Sequence, residues 1–226
     1  MAPAGFWQRY VAWSLDATLL LVATCVLTRP QLAATAAGTA TRAQGLFDRL
    51  AAALMAQPHG DLLTVASALS QQPELATAGR ALTDSLQQGL AWPLVVLLLL
   101  ALAYHAGFEQ SRWQATPGKR LLGLVVTDCD GAAPPWPRSL LRNGAGLLSW
   151  LSLNLGHALA ARRPQRRALH DFVAGTRVLA RQPQQTLPRW AWAWLFAQLA
   201  LMLLLWLAAG RWMLGALDLA VLRAIG

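Results

Sequence analysis

The sequence predicts an all-α integral membrane protein with three to four membrane helices and a small cytoplasmic β-hairpin-like element. Its 226 residues are 56% hydrophobic and 13% charged, whereas soluble domains carry about 25% charged residues. Apolar stretches at 6–28, 90–108 and 190–209 approach or exceed the about 20 helical residues that cross a bilayer. Tryptophans flank these stretches, as in an aromatic belt at the membrane boundary: Trp7, Trp92, Trp190 and Trp192.

The first apolar stretch, 6–28, carries two charges, Arg9 and Asp16. A carboxylate at the centre of a membrane helix costs about 2.5–3.5 kcal/mol on insertion scales, so it needs a partner or a function. Residues seven apart differ by about 20° around a helix, and Arg9 and Asp16 therefore share a stripe. The same stripe carries three small residues, Gly5, Ala12 and Ala23. This pattern indicates a face packed against another helix, with Arg9 near the membrane boundary and Asp16 inside.

Two roles for Asp16 follow from this placement and both stay open. Asp16 pairs with a neighbouring helix to fix the packing, or it belongs to a polar pathway for an ion or a small ligand.

The segment 29–89 differs in composition from its neighbours. It is rich in Ala, Thr and Gln, and its four Arg are balanced by four Asp and Glu. Apolar residues recur in it at helical spacing. We therefore predict an extracytoplasmic helical insertion.

The second apolar stretch, 90–108, ends near Tyr104 and His105 and is followed by Glu109. A chain that enters the membrane at Arg9 and returns at Glu109 brings these two charges to the same surface, so we predict an ion pair between them. His105 is either a hydrogen-bonded interface residue or a proton carrier.

The loop that follows carries turn and strand signals. Pro117-Gly118 fits a type II turn, 122–127 reads as a short strand ended by a turn at 128–131, and 176–180 is again strand-like. The sequence GK lacks the other residues of a phosphate loop, and DCDG lacks the remaining ligands of a calcium loop.

A third apolar run, 140–161, is interrupted by Arg142, Asn143 and His157 and lies between two basic loops; Arg142 and these loops together hold twelve of the 19 Lys and Arg residues. If the run crossed the membrane, these loops would lie on opposite sides, against the positive-inside rule. A re-entrant or surface-lying run places both loops in the cytoplasm and allows 123–128 to pair with 176–180. We favour this re-entrant or surface-lying arrangement over a full crossing.

The last apolar segment predicts a membrane helix at 190–209 and an interfacial helical tail at 211–226. The predicted organisation has four parts: a first membrane helix with the Arg/Asp motif (1–28), the insertion (29–89), a second helix with the basic loops and the third apolar segment (90–189), and the C-terminal helix and tail (190–226).

Four motifs occur in order: FWQRYVAWSLDATLL, QATPGKRLLGLVVTDCDG, SLLRN and LHDFVAGTRVL. In this order they resemble the RDD family of bacterial membrane proteins, named for one Arg and two Asp. The resemblance places the Arg on Arg9, the first Asp on Asp16, and the second on Asp171 in LHD, with Asp128 as the alternative. It implies a multi-pass protein of the bacterial inner (cytoplasmic) membrane and a role in transport. The insertion at 29–89 and the helix after 190 depart from the family pattern.

The side chain of Asp171 has two predicted roles: it caps a turn, or it pairs with Arg167 or Lys119. The pair His170-Asp171 lacks the further ligands that a metal site needs, and no nucleophile–base set occurs in the sequence. We therefore expect neither an enzyme nor a bound cofactor. The candidate intramembrane polar site consists of Arg9, Asp16 and Asp171, supported by Tyr104, His105, Glu109, Lys119 and His170.

Two functions remain. The first is transport of a small ligand, a cation or a proton; the alternative is a non-catalytic membrane scaffold or accessory subunit. The expected partners are the lipid bilayer and either further copies of the chain or other membrane proteins. The net charge of +9 does not indicate nucleic acid, because the basic residues lie beside apolar spans.

Overall fold

The computed structural model describes residues 1–56, 61–151, 159–161, 166–182 and 186–225. Its α-helices and β-strands are, in chain order, β1 (Ala2–Pro3), α1 (Phe6–Leu27), α2 (Arg29–Met55), α3 (Leu62–Ser70), α4 (Pro73–Gln110), α5 (Pro117–Leu121), β2 (Leu124–Asp128), α6 (Trp136–Leu151), α7 (Leu169–Val173), β3 (Thr176–Ala180) and α8 (Arg189–Ile225). A short 3₁₀ helix spans Leu159–Ala161. The chain divides into two compact units, one formed by 1–24 and 96–197 and the other by 25–95 and 198–226.

Three of the described helices, α1, α4 and α8, are long and apolar enough to cross a membrane. This agrees with the three predicted stretches, but two of the helices are longer than predicted. Helix α4 begins at Pro73 rather than near residue 90, so the last part of the predicted insertion is continuous with the second span.

The separate interfacial tail predicted at 211–226 is wrong, because α8 runs unbroken from Arg189 to Ile225. Gly210 lies between the two predicted segments. A single Gly costs a helix only about 1 kcal/mol relative to Ala, which the flanking Ala, Leu and Trp residues outweigh.

A three-stranded antiparallel sheet in the order β1-β3-β2 takes the place of the predicted hairpin-like element. The predicted pairing of 123–128 with 176–180 is confirmed, with Leu124 opposite Ala180 and Asp128 opposite Thr176. The third strand was not predicted: β1 pairs Ala2 with Ala180 on the other side of β3.

The core of the first unit joins the sheet to the first residues of two membrane-type helices. Leu124, Val126 and Val178 of the sheet share one buried cluster with Val11 of α1 and Ala191 of α8. The sheet therefore lies at the end of this unit where α1 and α8 begin.

The third apolar run forms α6, which ends at Leu151; residues 152–158 lie outside the described part of the chain. In α6 Ser139 and Arg142 are buried, whereas Leu140 and Leu141 are about half exposed. Polar residues thus face inward and apolar residues outward, the reverse of a soluble helix. Whether the run crosses or re-enters the membrane stays a prediction.

The second unit contains α2, α3, the first part of α4 and the last part of α8, so the predicted insertion is helical where it is described. Helix α2 begins beside Pro30, which is favourable in a first turn because that turn's N–H groups have no helical acceptor. Arg223 of α8 contacts both carboxylate oxygens of Asp48 of α2, at 3.2 and 3.1 Å.

Candidate functional site

Asp16 lies in the middle of α1 and its side chain is fully buried. Its Oδ1 accepts hydrogen bonds from the Tyr104 hydroxyl at 2.7 Å and from the Gly118 N–H at 2.8 Å. Its Oδ2 accepts from the Thr116 hydroxyl at 2.5 Å. The carboxylate therefore joins α1 to α4 and to the start of α5 through three uncharged donors.

The predicted polar stripe on α1 is confirmed near Asp16 and fails beyond it. Ala12 and Asp16 are fully buried, but Ala23 is exposed. Five of the seven buried positions of α1 recur every four residues, whereas the predicted stripe repeats every seven, so this buried row rotates away from Ala23. The five are Gln8, Ala12, Asp16, Leu20 and Thr24.

Gly118 allows the backbone of α5 to approach α1. A Cβ at this position would lie 2.9 Å from the carboxylate carbon of Asp16 and closer still to the main-chain carbonyl oxygen of Ala12. The type II turn predicted at Pro117-Gly118 is wrong, since both residues lie in the first turn of α5. The Thr116 side chain caps this helix and Pro117 occupies its first position. Thr and Pro are common at these positions of a helix as well as in turns, so the local sequence does not distinguish the two.

Asp171 is the partner of Arg9. Arg9 Nη1 lies 2.5 Å from Asp171 Oδ2, and Arg142 Nε lies 3.0 Å from Asp171 Oδ1. The predicted pair between Arg9 and Glu109 is wrong. The two residues do lie in the same unit, but α7 places a second carboxylate against Arg9.

Glu109, at the end of α4, also binds two cations. Lys119 Nζ lies 2.7 Å from Glu109 Oε1, and the Arg142 Nη1 group donates to the same oxygen. Arg9, Asp171, Arg142, Glu109 and Lys119 thus form one continuous series of ion pairs, called here the ion-pair chain. It links α1, α4, α5, α6 and α7.

The position of Asp171 is fixed within its own turn. Its Oδ2 accepts a hydrogen bond from the Ala168 N–H at 3.0 Å, so the predicted capping role is confirmed. Arg167 donates to the main-chain carbonyl of Asp171 at 2.8 Å rather than to the carboxylate, and Lys119 pairs with Glu109. His170 Nε2 lies 3.5 Å from Asp171 Oδ1.

Asp128, the alternative for the second Asp of the motif, has a different environment. Its Oδ1 accepts hydrogen bonds from the N–H groups of Asp130 and Ala132, both at 2.9 Å. Asp128 therefore closes the predicted turn at 128–131, and Asp171 is the Asp that meets Arg9.

The charges of the ion-pair chain determine one another's protonation. Burial raises the pKa of Asp171, but Arg142 and Arg9 outweigh burial and hold that pKa well below its usual range. For Lys119 burial is the larger effect and lowers the pKa, although Glu109 and, more weakly, Asp16 raise it. Burial also opposes the charge of Arg142, but Glu109 and Asp171 raise its pKa above the usual value.

The two remaining predicted residues lie beside these contacts. Tyr104 binds Asp16 directly, and its ring meets His105 edge to face at a centroid distance of 5.3 Å. His105 Nδ1 is buried and has no hydrogen-bond partner within the described part of the chain.

Four residues that contact the site were missed by the sequence analysis, among them Asn143, whose side-chain amide donates to Glu109 Oε2 at 3.4 Å. Arg142 and Asn143 were visible as polar interruptions of an apolar run, and a buried charge in such a run requires a partner. Thr116 and Gly118 gave no comparable signal, because turns and helix starts use the same residue types.

Comparison with known proteins identifies the family of the chain. The RDD family model matches residues 3–175, a range that includes Arg9, Asp16 and Asp171. The chain is also similar to the "Uncharacterized protein YxaI" of Bacillus subtilis (strain 168), with 23% identity over 177 residues, which cover 78% of this chain and 97% of that protein. No solved structure is significantly similar to the chain. Because the family model covers most of its length, the chain belongs to the RDD family.

Proposed function

We propose that this protein transports a small cation or a proton across the bacterial inner membrane, and that Asp16 is the carboxylate that binds it. One observation carries the proposal. Asp171 and Glu109 each contact two basic side chains, whereas no basic side chain in the described part of the chain lies within salt-bridge distance of Asp16. Asp16 is thus a buried carboxylate, in a helix able to span the membrane, that is free to take an external positive charge.

The donors around Asp16 suit such an exchange. Two of them are the hydroxyls of Tyr104 and Thr116, and a hydroxyl can turn from donating a proton to presenting an oxygen lone pair. Oxygen ligands are those that hard cations prefer. In the empty state the same hydroxyls satisfy the carboxylate, so release of the cation leaves no unpaired buried acceptor.

The ion-pair chain has a separate role in this proposal. It contains three positive groups, on Arg9, Arg142 and Lys119, and two negative groups, on Asp171 and Glu109, and each carboxylate contacts two of the cations. A buried charge is tolerated when it is paired and hydrogen-bonded. The ion-pair chain therefore holds the five helices that it links around Asp16, and it does not itself exchange charge.

The alternative is a non-catalytic membrane scaffold or accessory subunit. It is favoured by the complete hydrogen bonding of Asp16, which a packing residue also requires. Neither proposal includes a catalytic step, because the sequence carries no nucleophile–base set.

Cation flux in liposomes separates the two functions. The wild-type protein, Asp16→Asn and the matched control Asp130→Asn, which removes an exposed carboxylate of the same unit, are reconstituted at equal density. We expect pH-driven cation flux from wild type and the control, and only vesicle background from Asp16→Asn. Wild-type protein without flux under any gradient would leave the scaffold function, and undiminished flux in Asp16→Asn would remove Asp16 from the mechanism.

We also propose that the two basic loops, 110–139 and 162–188, face the cytoplasm and that 30–88 faces outward, according to the positive-inside rule. Single cysteines at Ser111, Gln165 and Gln71, in a protein lacking the exposed Cys25 and Cys129, test this with a membrane-impermeant thiol reagent. Labelling of Ser111 and Gln165 from opposite sides, or of Ser111 and Gln71 from the same side, contradicts the arrangement.

The chain has few spans for a transporter, so we propose that it works as a homo-oligomer or with other membrane proteins. Native mass spectrometry from detergent checks this proposal, and a protein that transports as a monomer contradicts it.

A further inference from the structure

A second polar feature of the first unit lies apart from Asp16. A cavity of about 510 Å³ opens where the loop after α4 meets the facing ends of β2 and β3, and its lining includes Arg112, Trp113, Arg120, Gly123, Leu124 and Arg181. It has the size of a small-molecule site. None of its lining residues belongs to the ion-pair chain.

The charge of this cavity is one-sided. Three of its lining residues are arginines and none is acidic. Within the described residues none of the three arginines forms an ion pair with a carboxylate, in contrast to Arg9 and Arg142. The cavity therefore presents three arginine side chains whose charges no carboxylate among the described residues pairs.

Aromatic stacking holds one of the arginines in place. The guanidinium carbon of Arg120 lies 4.0 Å from the centroid of the Trp113 ring, and that ring stacks on Phe108 at 5.7 Å. A guanidinium on an aromatic face loses less side-chain entropy when it binds a ligand.

Two hydrogen bonds join backbone in an uncommon conformation to the sheet beside the cavity: Gln114 lies between the lining residues Trp113 and Ala115, and Gly123 is itself a lining residue. Gln114 has a φ of 50°, which few residues other than Gly adopt, and its carbonyl accepts a hydrogen bond from the Val126 N–H at 2.7 Å. Gly123 has a φ of 65°, and its carbonyl accepts from the Arg181 N–H at 2.9 Å. The first bond joins the loop after α4 to β2, and the second fixes the backbone of Arg181 against that of Gly123.

We propose that this cavity binds a phosphate group. Arginine forks bind phosphate oxygens through paired, charge-assisted hydrogen bonds, and the room left beside a phosphate accommodates an organic substituent. Arg112 follows the end of α4 at Gln110 by two residues, which places the cavity at the depth of lipid headgroups in a spanning arrangement. The phosphate belongs either to an anionic lipid or to a soluble phosphate compound. This proposal does not depend on the transport function, because it uses no residue near Asp16.

The test measures binding of two probes to the full chain in neutral detergent. Inorganic phosphate is titrated calorimetrically at low ionic strength, and retained phosphatidylglycerol is counted by native mass spectrometry against phosphatidylcholine. The variants are Arg120→Gln and Arg181→Gln, with Arg120→Lys to keep the charge without the fork. The matched control is Arg177→Gln, which removes an exposed arginine of β3 outside the cavity lining. Thermal unfolding confirms that each variant is folded.

We expect each Gln variant to bind about tenfold more weakly, as the loss of one charge-assisted contact predicts, and Arg177→Gln to bind as wild type. Arg120→Lys should bind the probe more tightly than Arg120→Gln and more weakly than wild type. Phosphate binding alone identifies a soluble ligand, and selective phosphatidylglycerol retention identifies a lipid. Binding of neither probe, or equal weakening by Arg177→Gln, overturns the proposal.

Discussion

Asp171 is the carboxylate shared by two guanidinium groups, and Asp171→Asn tests the ion-pair chain. The side chain is fully buried and accepts from Arg9 at 2.5 Å, from Arg142 at 3.0 Å and from the Ala168 N–H at 3.0 Å. Asparagine keeps the size and one carbonyl oxygen, but it removes the negative charge and turns an amide N–H₂ toward a guanidinium.

The magnitude follows from burial. Breaking a buried ion pair by removing one partner costs about 3–5 kcal/mol, because an uncompensated charge stays in the interior. Arg142 keeps Glu109 as a partner, so most of the cost falls on Arg9. For a chain of this length such a loss lowers the Tm by about 6–20 °C, on the scale for soluble proteins.

The matched control is Asp48→Asn in the second unit. Asp48 pairs with Arg223 at 3.1 Å, but the two side chains are 38% and 58% exposed, and such pairs contribute about 0–1 kcal/mol. Thermal unfolding in neutral detergent measures both variants against wild type. Equal shifts for the two variants would refute the claim that the ion-pair chain stabilises the fold.

The same carboxylate predicts an acid sensitivity. Arg142 and Arg9 hold the pKa of Asp171 below its ordinary value of 3.8 against the opposing effect of burial. A lowered folded-state pKa means that Asp171 stabilises the protein fully above that ordinary value, and that this contribution is lost as the pH falls below it. The Tm of wild type should therefore fall more steeply below about pH 4 than the Tm of Asp171→Asn, as scans at stepped pH would record.

The remaining predictions concern packing and a second ion pair. Gly118→Ala should destabilise the protein by about 1–3 kcal/mol because its Cβ meets α1. In Gly107→Ala the added Cβ meets nothing within 4 Å, so this variant should be neutral or stabilised by up to about 1 kcal/mol. A higher Tm for Gly118→Ala than for Gly107→Ala would contradict the close packing of α5 on α1. Arg9→Ala should lower the Tm more than Arg42→Ala, because the exposed Arg42 donates a hydrogen bond to the Gly38 carbonyl of its own helix and forms no ion pair with another described residue. Equal shifts would show that Arg9 needs no partner.

Local signals predicted much of the fold. Apolar length alone located α1, α4 and α8, because a membrane helix must satisfy its backbone internally over about 20 residues. The pairing of β2 with β3 followed from two strand-like runs and the distribution of basic residues. Strand β1 gave no signal, since two residues, one of them Pro3, show no alternation and receive their partner only from the tertiary fold.

The sequence identified charged residues better than it identified their partners. Arg9 and Glu109 were placed at one membrane surface, but that placement does not choose among the carboxylates that reach it. Asp171 lies 162 positions from Arg9, and α7 and β3 bring it there. Arg142 was read as an interruption of an apolar run, although it proves to be the residue that joins Asp171 to Glu109.

Replacement by Asn should have different effects at Asp16 and at Asp171. In Asp16→Asn the amide oxygen still accepts from Tyr104 and Gly118, and the Thr116 hydroxyl can turn to accept from the new N–H₂. Stability should therefore change little, while cation flux is lost. In Asp171→Asn two guanidinium groups lose their shared charge, so stability falls first. Measuring unfolding and flux on both variants separates transport from scaffolding, because a scaffold would lose only stability, and would lose it in proportion to the charge contacts removed.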